Sequence, residues 1–132
     1  WKTIYSNTGT INTSDQRLKT DITSSILGLD FINELNPVSY KFIEGGKEIV
    51  DGDIISVPGL RTHYGLIAQE VKEMFPEVIA PAPFDRNPLT GQSISGENYM
   101  TVKYERLVPV LIEAIKELNV KIVHLEAQLA SK

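Results

Sequence analysis

VPVLIEAIKELNVKIVHLEAQL, residues 108–129, carries the most regular pattern in the chain. Val108, Leu111, Ile115, Leu118, Ile122, Leu125 and Leu129 recur alternately three and four residues apart. This is an unbroken a/d heptad pattern, the mark of a helix with a narrow apolar seam. Glu113, Lys116, Glu117, Lys121 and Glu126 fill the positions between. Pro109 is tolerated only near a first turn, so the helix is expected over about 104–131, starting near Tyr104 or Glu105. A helix lying on its own domain's core usually has a wider apolar face than an a/d stripe. The pattern therefore favours an oligomeric coiled coil. Mostly β-branched residues at a, with Leu at d, favour two strands in parallel coils, and the residues alone leave dimer or trimer open.

The chain has 132 residues, enough for one domain with a modest core. Hydrophobic residues make up 42% and charged residues 23%, which speaks against wholesale disorder. A net charge of −4, with no basic run, argues against a nucleic-acid partner. Cysteine is absent, which excludes disulfides, thiolate metal sites and a cysteine nucleophile. His63 and His124 are too few and too far apart to suggest zinc, and no metal or cofactor is expected. No apolar run approaches the roughly 20 residues that cross a bilayer, so no membrane partner is expected. Trp1-Lys2-Thr3 reads like the interior of a longer polypeptide.

Upstream of the heptads, helical and strand patterns alternate, giving an α+β expectation. Residues 1–13 are polar and β-prone, with a turn signal at Ser6-Asn7-Thr8-Gly9. Ile26, Leu29, Ile32 and Leu35 predict a helix over 23–35, capped by Thr23 or Ser24 and stopped by Asn36-Pro37. Val38, Tyr40 and Phe42 alternate with polar residues as in a strand. Glu44-Gly45-Gly46-Lys47 reads as a turn, and residues 48–57 predict a hairpin split at Asp51-Gly52-Asp53 and ended by Pro58-Gly59. Leu66, Ile67, Val71, Met74 and Phe75 predict a second helix within 62–79, ended by Pro76. Gln69 and Glu70 belong on its exposed or inter-subunit face. Residues 80–98, rich in Pro, Asn, Gly and Ser, are long for a loop and suggest a projecting or functional segment. Residues 99–102 read as a short strand or the start of a helix.

SDQRLKT, residues 14–20, raises a chemical question. A serine hydroxyl is a poor nucleophile until a base removes its proton, and a lysine serves as that base only when neutral. Its pKa must then fall from about 10.4 through burial or nearby positive charge. Arg17 would help; Asp15 and Asp21 would oppose it if close. Five residues are about 140° apart on a helix and on opposite faces of a strand, so neither joins Ser14 to Lys19. A turn, a bulge or a neighbouring chain must do so. By itself the spacing is a chance motif and the segment a solvated loop. His63 reads either as a structural histidine bonded to backbone or as an acid/base or orienting partner for the serine.

Three segments in order add to this reading: SDQRLKTDI at 14–22, HYGLIAQEV at 63–71 with FPEV at 75–78, and YERLVPVLIEAIKEL at 104–118. Together they resemble the C-terminal intramolecular chaperone domain of phage tail spikes and tail fibres, peptidase family S74. That domain is similar to the self-cleaving segment of the myelin regulatory factor proteins. The resemblance spans roughly residues 14–129. It implies a small globular part with projecting arms at 43–60 and 80–98, and a C-terminal helix that forms a trimeric coiled coil. It implies a homotrimer whose other partner is the preceding fibre part of its own polypeptide, ending at residues 1–13, with the chaperone at 14–132. It implies that the domain cuts itself off at Thr13–Ser14, with Ser14 as nucleophile, Lys19 as base and His63 involved in processing. It places these events in the host cytoplasm during virion assembly, with the domain lost from the mature fibre.

Three readings compete. One is a trimeric, non-cleaving tip that binds a receptor, and another is a plain coiled-coil oligomerisation domain. The third is a fragment of a membrane-tethered transcription factor with the same domain, which the missing membrane span and basic surface leave without support.

Overall fold

The computed structural model describes residues 3–6 and 9–131, and of 3–6 and 9–12 the backbone alone. The fold is α+β. The strands form four separate two-stranded antiparallel sheets. β1 (Thr3–Ser6) pairs with β2 (Gly9–Asn12), as the β-prone opening suggested; Asn7 and Thr8 of the expected turn, like Trp1 and Lys2, lie outside the described residues.

The first predicted helix is much shorter than its apolar spacing implied. α1 covers only Leu29–Glu34, with Gly28 as its cap residue rather than Thr23 or Ser24. Ile26, expected on the buried face, is 93% exposed, and Phe31, which the spacing passed over, is buried. The cause lies far along the chain. Glu117, on the C-terminal helix, accepts a hydrogen bond from the Leu29 N–H at 2.8 Å and satisfies one of the free donors that open α1. A Cβ on Gly28 would sit 2.5 Å from that carboxylate, which would have to shift to admit it. The stop before Pro37 is as expected, with Leu35 closing α1 onto the Ile32 carbonyl.

β3 (Val38–Tyr40) pairs with β6 (His63–Gly65), so His63 lies in a strand and not at a helix start. The second helix, α2, spans Ala68–Met74, and a 3-10 turn begins at Pro76. Gln69 and Glu70 are exposed on it, and Val71 is buried. β4 (Gly46–Val50) and β5 (Asp53–Val57) form the expected hairpin. Its turn residues Asp51 and Gly52 both have positive φ, which matches the twist of a tight hairpin. Every residue from Gly46 to Ser56 is exposed.

β7 (Ile79–Pro81) and β8 (Met100–Val102) pair across the base of the 80–98 segment. That segment is tied rather than loose. Asp85, 3% exposed, accepts hydrogen bonds from the Ser93 hydroxyl at 2.6 Å and the Ser95 N–H at 2.8 Å. Asn87 accepts from the Leu89 N–H, and Arg86 donates to the Gly91 carbonyl.

The C-terminal helix, α3, runs Val108–Ala130. Residues Tyr104–Leu107 form a 3-10 turn, so the regular helix starts later than Tyr104 or Glu105. Pro109 has no N–H to give an upstream carbonyl, and the tighter turn accommodates that loss. One face of α3, through Val110 and Ala114, packs on the domain. The core comprises Phe31, Val71, Val78, Leu107 and Val110, with Phe75 edge-on to Phe31 at 5.5 Å.

Candidate active site

The Asp15 side chain caps a 3-10 turn over Gln16–Leu18 by accepting from the Arg17 N–H at 2.8 Å. The turn closes with Leu18 N–H on the Asp15 carbonyl and Lys19 N–H on the Gln16 carbonyl. Ser14 and Lys19 flank it and fold toward one another. Lys19 Nζ donates to Ser14 Oγ at 2.7 Å. A five-residue gap that neither a helix nor a strand can close is closed by one tight turn.

The charged neighbours are arranged differently from the simplest expectation. Arg17 reaches Asp15 through Nε and Nη2, the latter at 2.8 Å. The paired guanidinium holds the Asp15 carboxyl below its ordinary pKa, and the carboxylate raises that of Arg17. Arg17 thus spends its charge on Asp15. Among the described residues, neither Asp15 nor Asp21 forms an ion pair with Lys19. Asp21 has a φ of 53°, a left-handed conformation that Asp tolerates better than most residues. Every residue from Thr13 to Ile26 is exposed. The first buried residues beyond the site are Gly28 and Leu29, where Glu117 fastens the segment to α3.

His63 is elsewhere. It stacks on Tyr40 at 5.6 Å and meets Phe42 edge-on at 4.9 Å. Among the described residues no hydrogen bond joins it to Ser14 or Lys19 in the same chain. The heptad residues form a stripe along α3 that its own domain leaves open, from 44% exposed at Leu111 and Leu118 to 69% at Leu129. Every residue from Leu118 to Ser131 is exposed. Among the described residues no helix is long and apolar enough to cross a membrane, and no three acidic or histidine side chains converge on a metal position.

Sequence reasoning missed two anchoring residues. Glu117 stands among the charges between the heptad positions, and nothing local marks its contact with Leu29, 88 residues away. Tyr104 accepts the Leu66 N–H at 2.9 Å, where a Cβ on Gly65 would collide with its hydroxyl.

A family model described as the chaperone of endosialidase, peptidase S74, matches residues 14–80. The match starts at Ser14. Among curated proteins, the long tail fiber protein Gp37 of Enterobacteria phage K3 is 27% identical over 116 residues, covering 88% of this chain and 8% of that protein. Gp37 of Enterobacteria phage T2 is also 27% identical over 116 residues, covering 88% of this chain and 7% of that protein. The chain thus spans less than a tenth of the length of these relatives.

Proposed function

The chain belongs to the chaperone-of-endosialidase family, and on that footing we propose that it is the intramolecular chaperone of a phage tail fibre, which trimerises and then cuts itself free at Thr13–Ser14. The hydrogen bond between Lys19 and Ser14 carries this reading. The tail fibre comes from the named relatives. On this reading residues 1–13 end the mature fibre and 14–132 form the helper. The setting is the host cytoplasm during virion assembly.

The cut follows from the two side chains. With Lys19 neutral, its hydrogen bond to Ser14 reverses and the hydroxyl becomes the donor. Ser14 Oγ attacks the Thr13 carbonyl carbon, and the hydroxyl proton passes to Lys19 Nζ. The C–N bond breaks, and that proton goes to the departing Ser14 nitrogen. An ester now joins Thr13 to Ser14 Oγ. Water hydrolyses it to the Thr13 carboxylate, restoring the Ser14 hydroxyl. In a single chain Lys19 is exposed. Covering the 13–26 segment in a trimer disfavours its charged form and prepares the base. Cleavage then reports assembly. On this reading His63, on the β3–β6 sheet, takes part in processing without a direct hydrogen bond to the pair in its own chain.

The chaperone role has a physical reason. Fibres with inter-chain contacts lose closure entropy before burial repays it, and three joined ends raise the local strand concentration. The open α3 stripe supports the seam that joins them. The β4–β5 hairpin supports an arm: a lone two-stranded hairpin is marginal, and Ile49 and Ile54 stand 77% and 71% exposed on one face, free to grip the fibre. After release the fibre unfolds only over a kinetic barrier.

Denaturing intact mass spectrometry tests this on the parent, Ser14→Ala and Lys19→Ala, with oligomeric state measured in parallel. We expect a fragment beginning at Ser14 from the parent alone. Full-length mass in all three folded trimers refutes self-cleavage and leaves a non-cleaving trimeric chaperone or tip.

A further inference from the structure

An open apolar hollow lies beside the start of α3, lined by Ile32, Leu35, Leu66, Tyr104, Leu107 and Leu111 among others. At about 340 Å³ it is at the small end of ligand sites, but it lacks their convergent polar groups. The Tyr104 hydroxyl is already engaged by the Leu66 N–H. Such a hollow suits an aliphatic side chain.

We infer that Ile112 of a neighbouring copy fills this hollow, so that each protomer completes the next one's core. The inference rests on the parallel coiled coil proposed above and deepens it. With Val108 at a, Ile112 takes an e position, and Leu107, the last residue of the 3-10 turn, precedes the first heptad on its g side. In a parallel coil, g of one heptad lies beside e of the following heptad on the adjacent helix. Leu107 and Leu111 line the hollow from its g and d side, and the residue brought there is the neighbour's Ile112. Charge is the usual occupant of an e position, yet Ile112 is apolar and 55% exposed in the single chain.

The next pairs along the helix agree. Ala114 at g meets Asn119 at e, beyond the hollow. Lys121 at g meets Glu126 at e, where α3 is fully exposed. Among the described residues neither Lys121 nor Glu126 has an ion-pair partner in its own chain. The pairs thus change from apolar beside the domain to ionic on the free stalk, as the surroundings require.

The chain has no cysteine, so thiol cross-linking can be read directly. Ile112→Cys and a differently tagged Leu35→Cys chain are co-expressed and oxidised. Val123→Cys replaces Ile112→Cys in the control, because Val123 is exposed on α3 away from the e and g positions. Sedimentation gives the oligomeric state of each, and Ile112→Glu is compared with Val123→Glu. We expect a mixed-tag disulfide band with Ile112→Cys only, and loss of assembly with Ile112→Glu only. A folded trimer with no band above the control, and an Ile112→Glu protein that assembles like the parent, overturns the inference and leaves the seam standing. A monomeric parent overturns both.

Discussion

The trunk of this molecule and its extensions obey opposite rules. In the trunk, Val71 and Val78 are 1% and 0% exposed, and short elements from distant parts of the chain close around them. In the 13–26 segment, the β4–β5 hairpin and α3 beyond Leu118, nearly every side chain meets solvent, aliphatic ones included. Apolar surface on this scale in a small domain marks surfaces built to be covered. The trunk holds the fold of one chain, while the extensions carry the surfaces that the proposed function would cover with other copies or with the fibre.

Truncation in the two regions puts that contrast to the sharpest test. Phe31→Ala should cost about 3–5 kcal/mol of trunk stability, by loss of burial and of its edge contact with Phe75. Leu125→Ala should leave the trunk's unfolding in a dilute monomer unchanged and weaken assembly instead. Thermal melts across a range of protein concentrations separate the two effects. Equal loss of monomer stability from both would break the distinction.

The joint between the regions should show an intermediate effect. Gly28→Ala forces a methyl group against the Glu117 carboxylate and should cost about 1–3 kcal/mol. Glu117→Ala, which strips the Leu29 N–H of its acceptor, should cost about 1 kcal/mol. Denaturant melts of both variants check this, and silent variants would mean that the 13–26 segment is not fastened at Gly28–Leu29.

The smallest effect belongs to the 80–98 loop. The Ser93 hydroxyl, followed against opposing burial by the Ser95 and Tyr99 N–H groups, lowers the Asp85 carboxyl from 3.8 to about 2. Because the folded value is the lower one, its stabilisation is complete above pH 3.8 and vanishes as pH falls through about 2. Amide exchange at Ser95 and Tyr99 should therefore quicken over that window while the trunk amides stay protected. Ser93→Ala should move the window upward. A loop unaffected by acid would remove Asp85 as its organiser.

Much of this architecture is written locally. The apolar stripe follows from seven positions in one helix, and the hairpin from Asp51-Gly52 between β-branched runs, because helix period and tight-turn geometry act over a few residues. Ser14 and Lys19 were singled out through the family resemblance and not by their spacing, although the turn that joins them is local, capped by Asp15 on Arg17. Helix extents were less legible. The 23–35 pattern overstated α1, since what starts that helix is Glu117 and not a nearby serine or threonine. The 62–79 pattern concealed β6, since His63–Gly65 is extended only through its pairing with β3.

The sequence by itself determined the α+β class, the a/d stripe and the hairpin, because each arises from interactions between near neighbours. Tertiary structure alone decided that α3 packs through Val110 and Ala114 and leaves the stripe open, that His63 sits among aromatic rings, and that Asp85 organises a loop that looked loose. Those outcomes depend on which distant surfaces meet. Burial and hydrogen bonding beyond the reach of a helix or hairpin repeat set them, from eight residues away for Asp85 and Ser93 to opposite ends of the domain for α3.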